Sequence, residues 1–438
     1  MNRNSAVSGG YGSRVLPVQK RSALLIAAFD SQLKWCAGIR NELASRGFSC
    51  RAVVPDVRSA LSTQQIRDAG FDDVADLTWE ELVEEALTCD VVICSLAGPT
   101  TQKLTAELSR RVVESGRPGP VVVSGWVGII IEKITAGYLD RCGTDIVAVN
   151  SAHDLKHFRE AGTRLSVPTD NLILSGLPFL SSSPHAVRGG AIGTVLFADQ
   201  PTVPAAEVER HYVYSKLIEY ARAHPDREVL LKPRHRLDED TFHRMRHHPE
   251  DVLAGTPFPP NFHIDYTPID EMLPKVDLLL TMSSTACLEA IDHGCRVGLI
   301  LDLGVHERYG NQVFLDSGLL RTFEQLEADE IGEPEAEWRD SYFGGRDRPA
   351  NQIIVDRIES LLASGERPSG AVWASAYFRS ARDLQDVKLA HNPSWKSRAW
   401  ARRMRKYGPV FGSIAHLGSL LLPPVIARPF ARWWTNRG

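Results

Sequence analysis

At 438 residues the chain is long enough for two domains of ordinary size and a tail. Its 43% hydrophobic and 24% charged content is that of a globular protein, and a formal net charge of −4 argues against a nucleic-acid partner. The seven cysteines include no C-x-x-C pair, which argues against a disulfide framework and a zinc site and fits a reducing cytoplasm. Residues 1–20 lack an apolar period and read as a disordered leader. The apolar run 22–29 that follows is too short for a signal peptide or a membrane span, and reads as a first strand.

From there strands alternate with helices. Predicted strands lie at 23–29, 50–54, 90–96, 120–125, 145–149 and 171–175, with helices at 31–46, 79–87, 100–115, 130–140 and 151–161 between them. A Ser-, Pro- and Gly-rich stretch, 181–190, has the composition of a linker. The rhythm then restarts: strands at 194–197, 228–232, 262–264, 277–280 and 296–301, helices at 204–224, 238–247, 269–275, 286–293 and 349–363. Buried apolar strands separated by helices imply parallel sheets wound on both faces. The expected class is therefore α/β, with an N-terminal Rossmann-like domain over 21–180 and a second over 191–365. The two would face a cleft, where ligands of such proteins bind.

Residues 366–438 form a C-terminal tail. Its 395–407 segment is basic and aromatic, with Trp395 and Trp400 among Lys and Arg, and Arg432-Trp433-Trp434 closes it. Pro423-Pro424 interrupts the apolar part, so a bilayer span is not expected. Lys and Arg beside Trp and Leu suit the surface of an anionic membrane; the other reading is a tail that packs on the first domain.

Three stretches carry candidate chemistry in the second half. After the predicted strand 277–280, Ser283-Ser284-Thr285 opens a helix closed by Gly294. Free N–H groups and the helix dipole there would hold a phosphate; the alternative is a simple cap. Lys232-Pro233-Arg234-His235 ends another buried strand, and its cations suit a phosphate or pyrophosphate, or only solvent. Both turns lie at carboxyl ends of strands in one sheet, so they can converge on one ligand. Asp265-Tyr266-Thr267-Pro268 lies between them and offers Thr267 and Pro268 as a wall for a nucleotide base. In the first half, Asp30 and Ser31 follow strand one. Asp30 would face the cleft as a general base, or cap the helix. Gly125 and Trp126 follow strand four as an acceptor-side loop. No G-x-G-x-x-G, G-x-S-x-G, Walker A or H-E-x-x-H motif occurs, which argues against a dinucleotide oxidoreductase.

With these residues the second half resembles the donor domain of GT-B glycosyltransferases. It is most similar to capsule and polysialyl-type enzymes of bacterial cell surfaces and to actinobacterial glycosyltransferases of similar length. The matching residues are Lys232-Pro233-Arg234-His235, Asp265-Tyr266-Thr267-Pro268, Ser283-Ser284-Thr285 and Glu289-Ala290 through Gly294. They cover roughly 190–305; the N-terminal half matches in architecture only. The resemblance implies that the serines bind the donor phosphate, that His235 acts on that phosphate or the leaving group, and that Glu289 meets the donor nucleotide. The family histidine is usually followed by proline, whereas Arg236 follows His235. The expected function is transfer of a sugar from a nucleotide sugar to a cell-envelope glycan or lipid-linked acceptor, with no metal and no cofactor beyond that co-substrate. A GT-B sugar-nucleotide 2-epimerase and a non-catalytic nucleotide-binding protein are the alternatives.

Overall fold

Leu24, Leu25 and Ile26 are fully buried in β1 (Ser22–Ile26), so the strand has to be covered on both faces, and a parallel sheet between helices supplies that cover. The computed structural model describes residues 21–56, 61–181, 183–237, 245–345 and 347–380. The leader, most of the predicted 238–247 helix and the basic aromatic tail lie outside the described residues.

The remaining strands of the first sheet are β2 (Ser49–Pro55), β3 (Ala75–Leu77), β4 (Val91–Cys94), β5 (Val121–Gly125), β6 (Ile146–Val149) and β7 (Leu172–Leu174). All pair in parallel, in the order β3-β2-β1-β4-β5-β6-β7. The second sheet is built from β8 (Thr194–Ala198), β9 (Glu228–Lys232), β10 (Phe262–Ile264), β11 (Leu278–Thr281), β12 (Arg296–Ile300) and β13 (Leu320–Arg321). It too is parallel, in the order β10-β9-β8-β11-β12-β13. Both are Rossmann-like: the chain runs outward from a central strand, then returns past it to build the other side. The α/β class with two such halves is the one expected. Strands β3 and β13 escaped the sequence reading because they are two- and three-residue edge strands without an apolar run.

Among the described residues, 21–164 and 168–371 form one compact unit that contains both sheets, and 165–167 with 372–380 belong to a second. In the second unit Trp373 and Phe378 pack edge to face at 5.0 Å, both buried. Within the first unit a continuous apolar core runs from Leu25 and Val123 of the first sheet to Leu279 and Cys287 of the second half. The helix Ala350–Ser364 follows the second sheet in sequence yet packs on β5, β6 and the first helix, Asp30–Ser45. Its Ile354, Val355, Ile358 and Leu361 form the buried stripe, and Arg46 pairs with its Asp356 and Glu359. This returning helix ties the two halves together.

Candidate functional site

The point where strand order reverses lies between β8 and β11 in the second sheet and between β1 and β4 in the first. Side chains that follow those strands line the crevice where α/β ligands bind. Ser283-Ser284-Thr285 follows β11, and the three hydroxyls do three different things. Ser283 is buried; its hydroxyl donates to the Tyr309 carbonyl at 2.5 Å and its N–H donates to Gln200 Oε1 at 2.8 Å. Ser284 Oγ accepts from the Ala286 N–H at 3.2 Å, a local cap. Thr285 Oγ1 accepts from the Ile129 N–H of the first half at 3.1 Å. The hydroxyl protons of Ser284 and Thr285 have no acceptor among the described residues, so these two half-buried groups keep a donor to offer.

Gln200, which holds Ser283, lies two residues after β8 and is itself fixed by a buried cluster. Arg210 from the helix Glu207–Ala223 pairs with Asp199 at 3.1 Å and donates to the Gln200 carbonyl at 2.6 Å; Tyr214 donates to Asp199 at 2.6 Å. Burial pushes the Asp199 carboxyl up, against the pull of Arg210 and Tyr214. Such a fully satisfied network makes the β8 turn rigid.

At the end of β9, Lys232 is half-buried and its ammonium has no acceptor or ion pair among the described residues. Burial lowers its pKa below the ordinary 10.5; the charge of Asp265 opposes this and that of Arg234 adds to it. Arg234 reaches across to Asp30 of the first half, donating from Nε at 3.1 Å and from Nη2. His235 turns the other way. It is 4% exposed; its Nε2 accepts from the Met245 N–H at 2.9 Å and its Nδ1 donates to the Arg236 carbonyl at 2.7 Å. With both ring nitrogens held by backbone, the imidazole offers nothing to a ligand in this conformation.

The nucleotide-side candidates are held as well. Thr267 donates its N–H to Asp265 at 2.6 Å, and Pro268 precedes the short helix Ile269–Met272. Burial raises the Asp265 carboxyl, but the bonds from Thr267 and the nearby Lys232 outweigh it, so its pKa falls. Glu289 pairs at 2.7 Å with Lys34 of the first half, and Lys34 also reaches Asp270 at 3.0 Å. Burial alone would lower the Lys34 ammonium; Glu289 and Asp270 more than reverse this. Lys34 and Asp30 lie one turn apart on the same helix, so one helical face carries both ion-pair contacts across the crevice.

On the acceptor side, Ser31 is half-buried with no partner for its hydroxyl among the described residues. A Cβ at Gly125 would lie 2.7 Å from the Trp35 ring, so glycine is required there for close packing. Trp126 is 9% exposed: it stacks on Phe158 at 5.0 Å and lies under the Arg141 guanidinium at 4.6 Å. Its ring is thus part of the first half's interior. Arg141 is held by the carbonyls of Gly125, Gly137 and Leu96, and burial brings it down to about 10. What the loop presents to the second half is Gly128 to Ile131, pressed against Thr285 and Gly310.

The structure therefore brings together Asp30 with Arg234, and sets Lys232, Ser284, Thr285 and Glu289 on one side of the same crevice. It turns Ser283, His235 and Trp126 inward. Sequence reasoning missed Lys34 and Gln200. Lys34 stands four residues after Asp30 and Gln200 two after the end of β8, and both positions were legible signals. Among the described residues no group of three His, Cys, Asp or Glu is placed to hold a metal ion, and no helix is long and apolar enough to cross a membrane.

No curated protein matches the chain in sequence. Among solved structures it is similar to a "putative UDP-N-acetylglucosamine 2-epimerase" from Listeria monocytogenes, at 14% identity over 80% of this chain and 99% of that one, with a TM-score of 0.49. It is also similar to the calicheamicin glycosyltransferase CalG4 (14% identity, 86% and 100% coverage, TM-score 0.43) and to MurG of Acinetobacter baumannii (10%, 78% and 99%, TM-score 0.44). A family profile described as "Putative glycosyltransferase (DUF6716)" matches residues 23–361, most of the chain. On that match, the chain belongs to this family of glycosyltransferases.

Proposed function

We propose that the protein moves a sugar from a nucleotide-activated donor to a glycan or lipid-linked acceptor of the cell envelope, with the donor phosphates held at the carboxyl ends of β9 and β11. The observation that carries this reading is Lys232, a half-buried cation that makes no ion pair among the described residues, at the end of an interior strand. Burying a charge unpaired is costly, and a phosphate is the ligand that would offset it. The Ser284-Thr285 turn lies two strands away, roughly 10 Å at the spacing of a sheet, a span that a nucleoside diphosphate covers.

In this reading the acceptor oxygen bonds to the anomeric carbon while the anomeric C–O bond to the donor phosphate breaks, and its electron pair leaves on that phosphate. The Lys232 ammonium and the two free hydroxyl protons stabilise the charge that grows there, so neither a metal nor a further cofactor is invoked. A phosphate competes with Asp30 for Arg234. When Arg234 turns to the donor, that ion pair opens and the Asp30 carboxylate accepts the proton of the acceptor hydroxyl, with Ser31 and the Gly125 loop on the acceptor side. His235 serves the site by fixing the basic turn, and Ser283 by fixing the β11 turn. Thr267, Pro268 and Glu289 face the nucleoside. Residues 393–438 place the enzyme on the inner face of an anionic membrane, near a lipid-linked acceptor; this part rests on sequence alone.

A thermal-shift screen of the full chain against CMP-, CDP-, UDP- and GDP-sugars tests the reading, because a ligand of the folded state raises its melting point. A rise with one nucleotide class supports it. No rise with any of them overturns it.

A further inference from the structure

The loop after β5, residues 126–131, reaches from the first half to the turn after β11, and its backbone is held from both halves. Asn150, the residue after β6, is buried and donates from Nδ2 to the Trp126 carbonyl at 3.1 Å and the Gly128 carbonyl at 2.8 Å. From the second half, Gln312 Nε2 donates to the Ile131 carbonyl at 3.0 Å. A Cβ at Gly310 would lie 2.6 Å from the Ile131 side chain, so the loop is closely packed at its far end too. Between these anchors the Ile129 N–H donates to Thr285 Oγ1 at 3.1 Å. Thr285 precedes the helix Ala286–Asp292, yet its hydroxyl caps nothing there. The hydroxyl oxygen is committed to the loop, and its proton must point away from the N–H that it accepts.

Gly128 makes this contact possible. The three atoms nearest to a Cβ built there all belong to Thr285, with Oγ1 at 2.3 Å and Cβ at 3.3 Å. The Gly128 backbone lies outside the left-handed region, so glycine serves here for space and not for conformation. Threonine is stiff about χ1, and any side chain at 128 would drive Oγ1 out of its seat. We infer that Gly128 is a positioning residue for the donor phosphate: it lets the loop seat the Thr285 hydroxyl, oxygen toward the Ile129 N–H and proton toward the ligand. Accepting from that N–H polarises the hydroxyl and makes it a better donor. This rests on the reading of the Ser284-Thr285 turn as a donor-phosphate site, and adds that the first half builds part of that site.

The test is a double-mutant cycle on the full-length protein, read by calorimetric titration with whichever of CMP, CDP, UDP and GDP binds the wild type most tightly. Gly128→Ala and Thr285→Ala should each weaken that nucleotide by about 10-fold or more, since each removes one hydrogen bond to a charged group. The double variant should bind within about 2-fold of Thr285→Ala, because residue 128 acts through a hydroxyl that is then gone. Should Gly128→Ala alone fail to fold, the double variant, which lacks the clashing oxygen, still allows the comparison with Thr285→Ala. A contact that merely joins the halves predicts otherwise: Thr285→Ala would lose stability in urea and keep wild-type nucleotide affinity. That result overturns the inference, as does a folded Gly128→Ala that binds like the wild type, or losses that multiply in the double variant. A wild type that binds none of the four nucleotides overturns the donor-phosphate reading and this inference together.

Discussion

Replacing Lys232 by methionine separates a ligand-binding role from a structural one, because the two predict opposite signs. The ammonium is half-buried at the end of β9 with no partner among the described residues, so the folded state gains no ion pair from it. Its pKa is lowered on folding, chiefly by burial. Between the lowered value and the ordinary 10.5 the unfolded chain binds more protons than the folded one. Wild-type stability should therefore rise as pH increases through this window, and the charged lysine works against folding at pH values below it. Methionine fills a similar volume without charge, so Lys232→Met should be at least as stable as wild type at neutral pH, and should lack that alkaline rise. Donor binding should move the other way. One charge-assisted hydrogen bond contributes about 1.5–3 kcal/mol, so the variant should bind a nucleoside diphosphate roughly 10–100-fold more weakly. Urea denaturation at several pH values and calorimetric titration with the nucleotide give both signs. A variant that is destabilised by more than about 1 kcal/mol, or that binds the nucleotide as tightly as wild type, refutes the reasoning.

Asp30→Asn should cut turnover by roughly 10²–10⁴-fold with donor affinity little changed; near-normal turnover in a steady-state transfer assay would leave Asp30 as a partner of Arg234 and nothing more. Ser283→Ala should cost about 1–3 kcal/mol in a denaturant titration, because the Tyr309 carbonyl and the Gln200 Nε2 lose the hydroxyl that both contact, while the backbone bond to Gln200 remains. Ser284→Ala, by contrast, removes only a local cap, about 1 kcal/mol or less, and its main effect should appear as weaker nucleotide binding. Ending the chain at Asn392 should abolish sedimentation with anionic vesicles at low salt, since each basic residue near such a surface contributes about 1 kcal/mol; equal sedimentation of the full-length and shortened proteins would exclude a membrane role for the tail.

The alternation of apolar strands and helices was legible because parallel strands are buried on both faces and read as unbroken hydrophobic runs. Leu278, Leu279 and Leu280 are the clearest case, and all three are fully buried in β11. Where a strand is short and at an edge, as in β3 and β13, that signal vanishes. The return of Ala350–Ser364 to the first sheet was also invisible, since an amphipathic stripe says that a helix packs but not on what. At the site, residue type and position after a strand located the crevice, yet side-chain direction was not available from the chain. Ser283, His235 and Trp126 sit where expected along the sequence and point inward. The reason is local in each case: the Gln200 amide and Tyr309 carbonyl hold Ser283, backbone groups bracket the His235 ring, and Phe158 and Arg141 sandwich Trp126. Lys34 shows the converse, a residue with no motif that becomes central because the fold sets Glu289 and Asp270 opposite it.

The most direct measurement is a crystal structure of the protein with a nucleoside diphosphate bound. The account requires phosphate oxygens within hydrogen-bond distance, roughly 2.7–3.2 Å, of Lys232 Nζ and of the Ser284 or Thr285 hydroxyl, with Arg234 released from Asp30. A diphosphate seated instead on the first sheet, with Lys232 and the Ser284-Thr285 turn untouched, would contradict it.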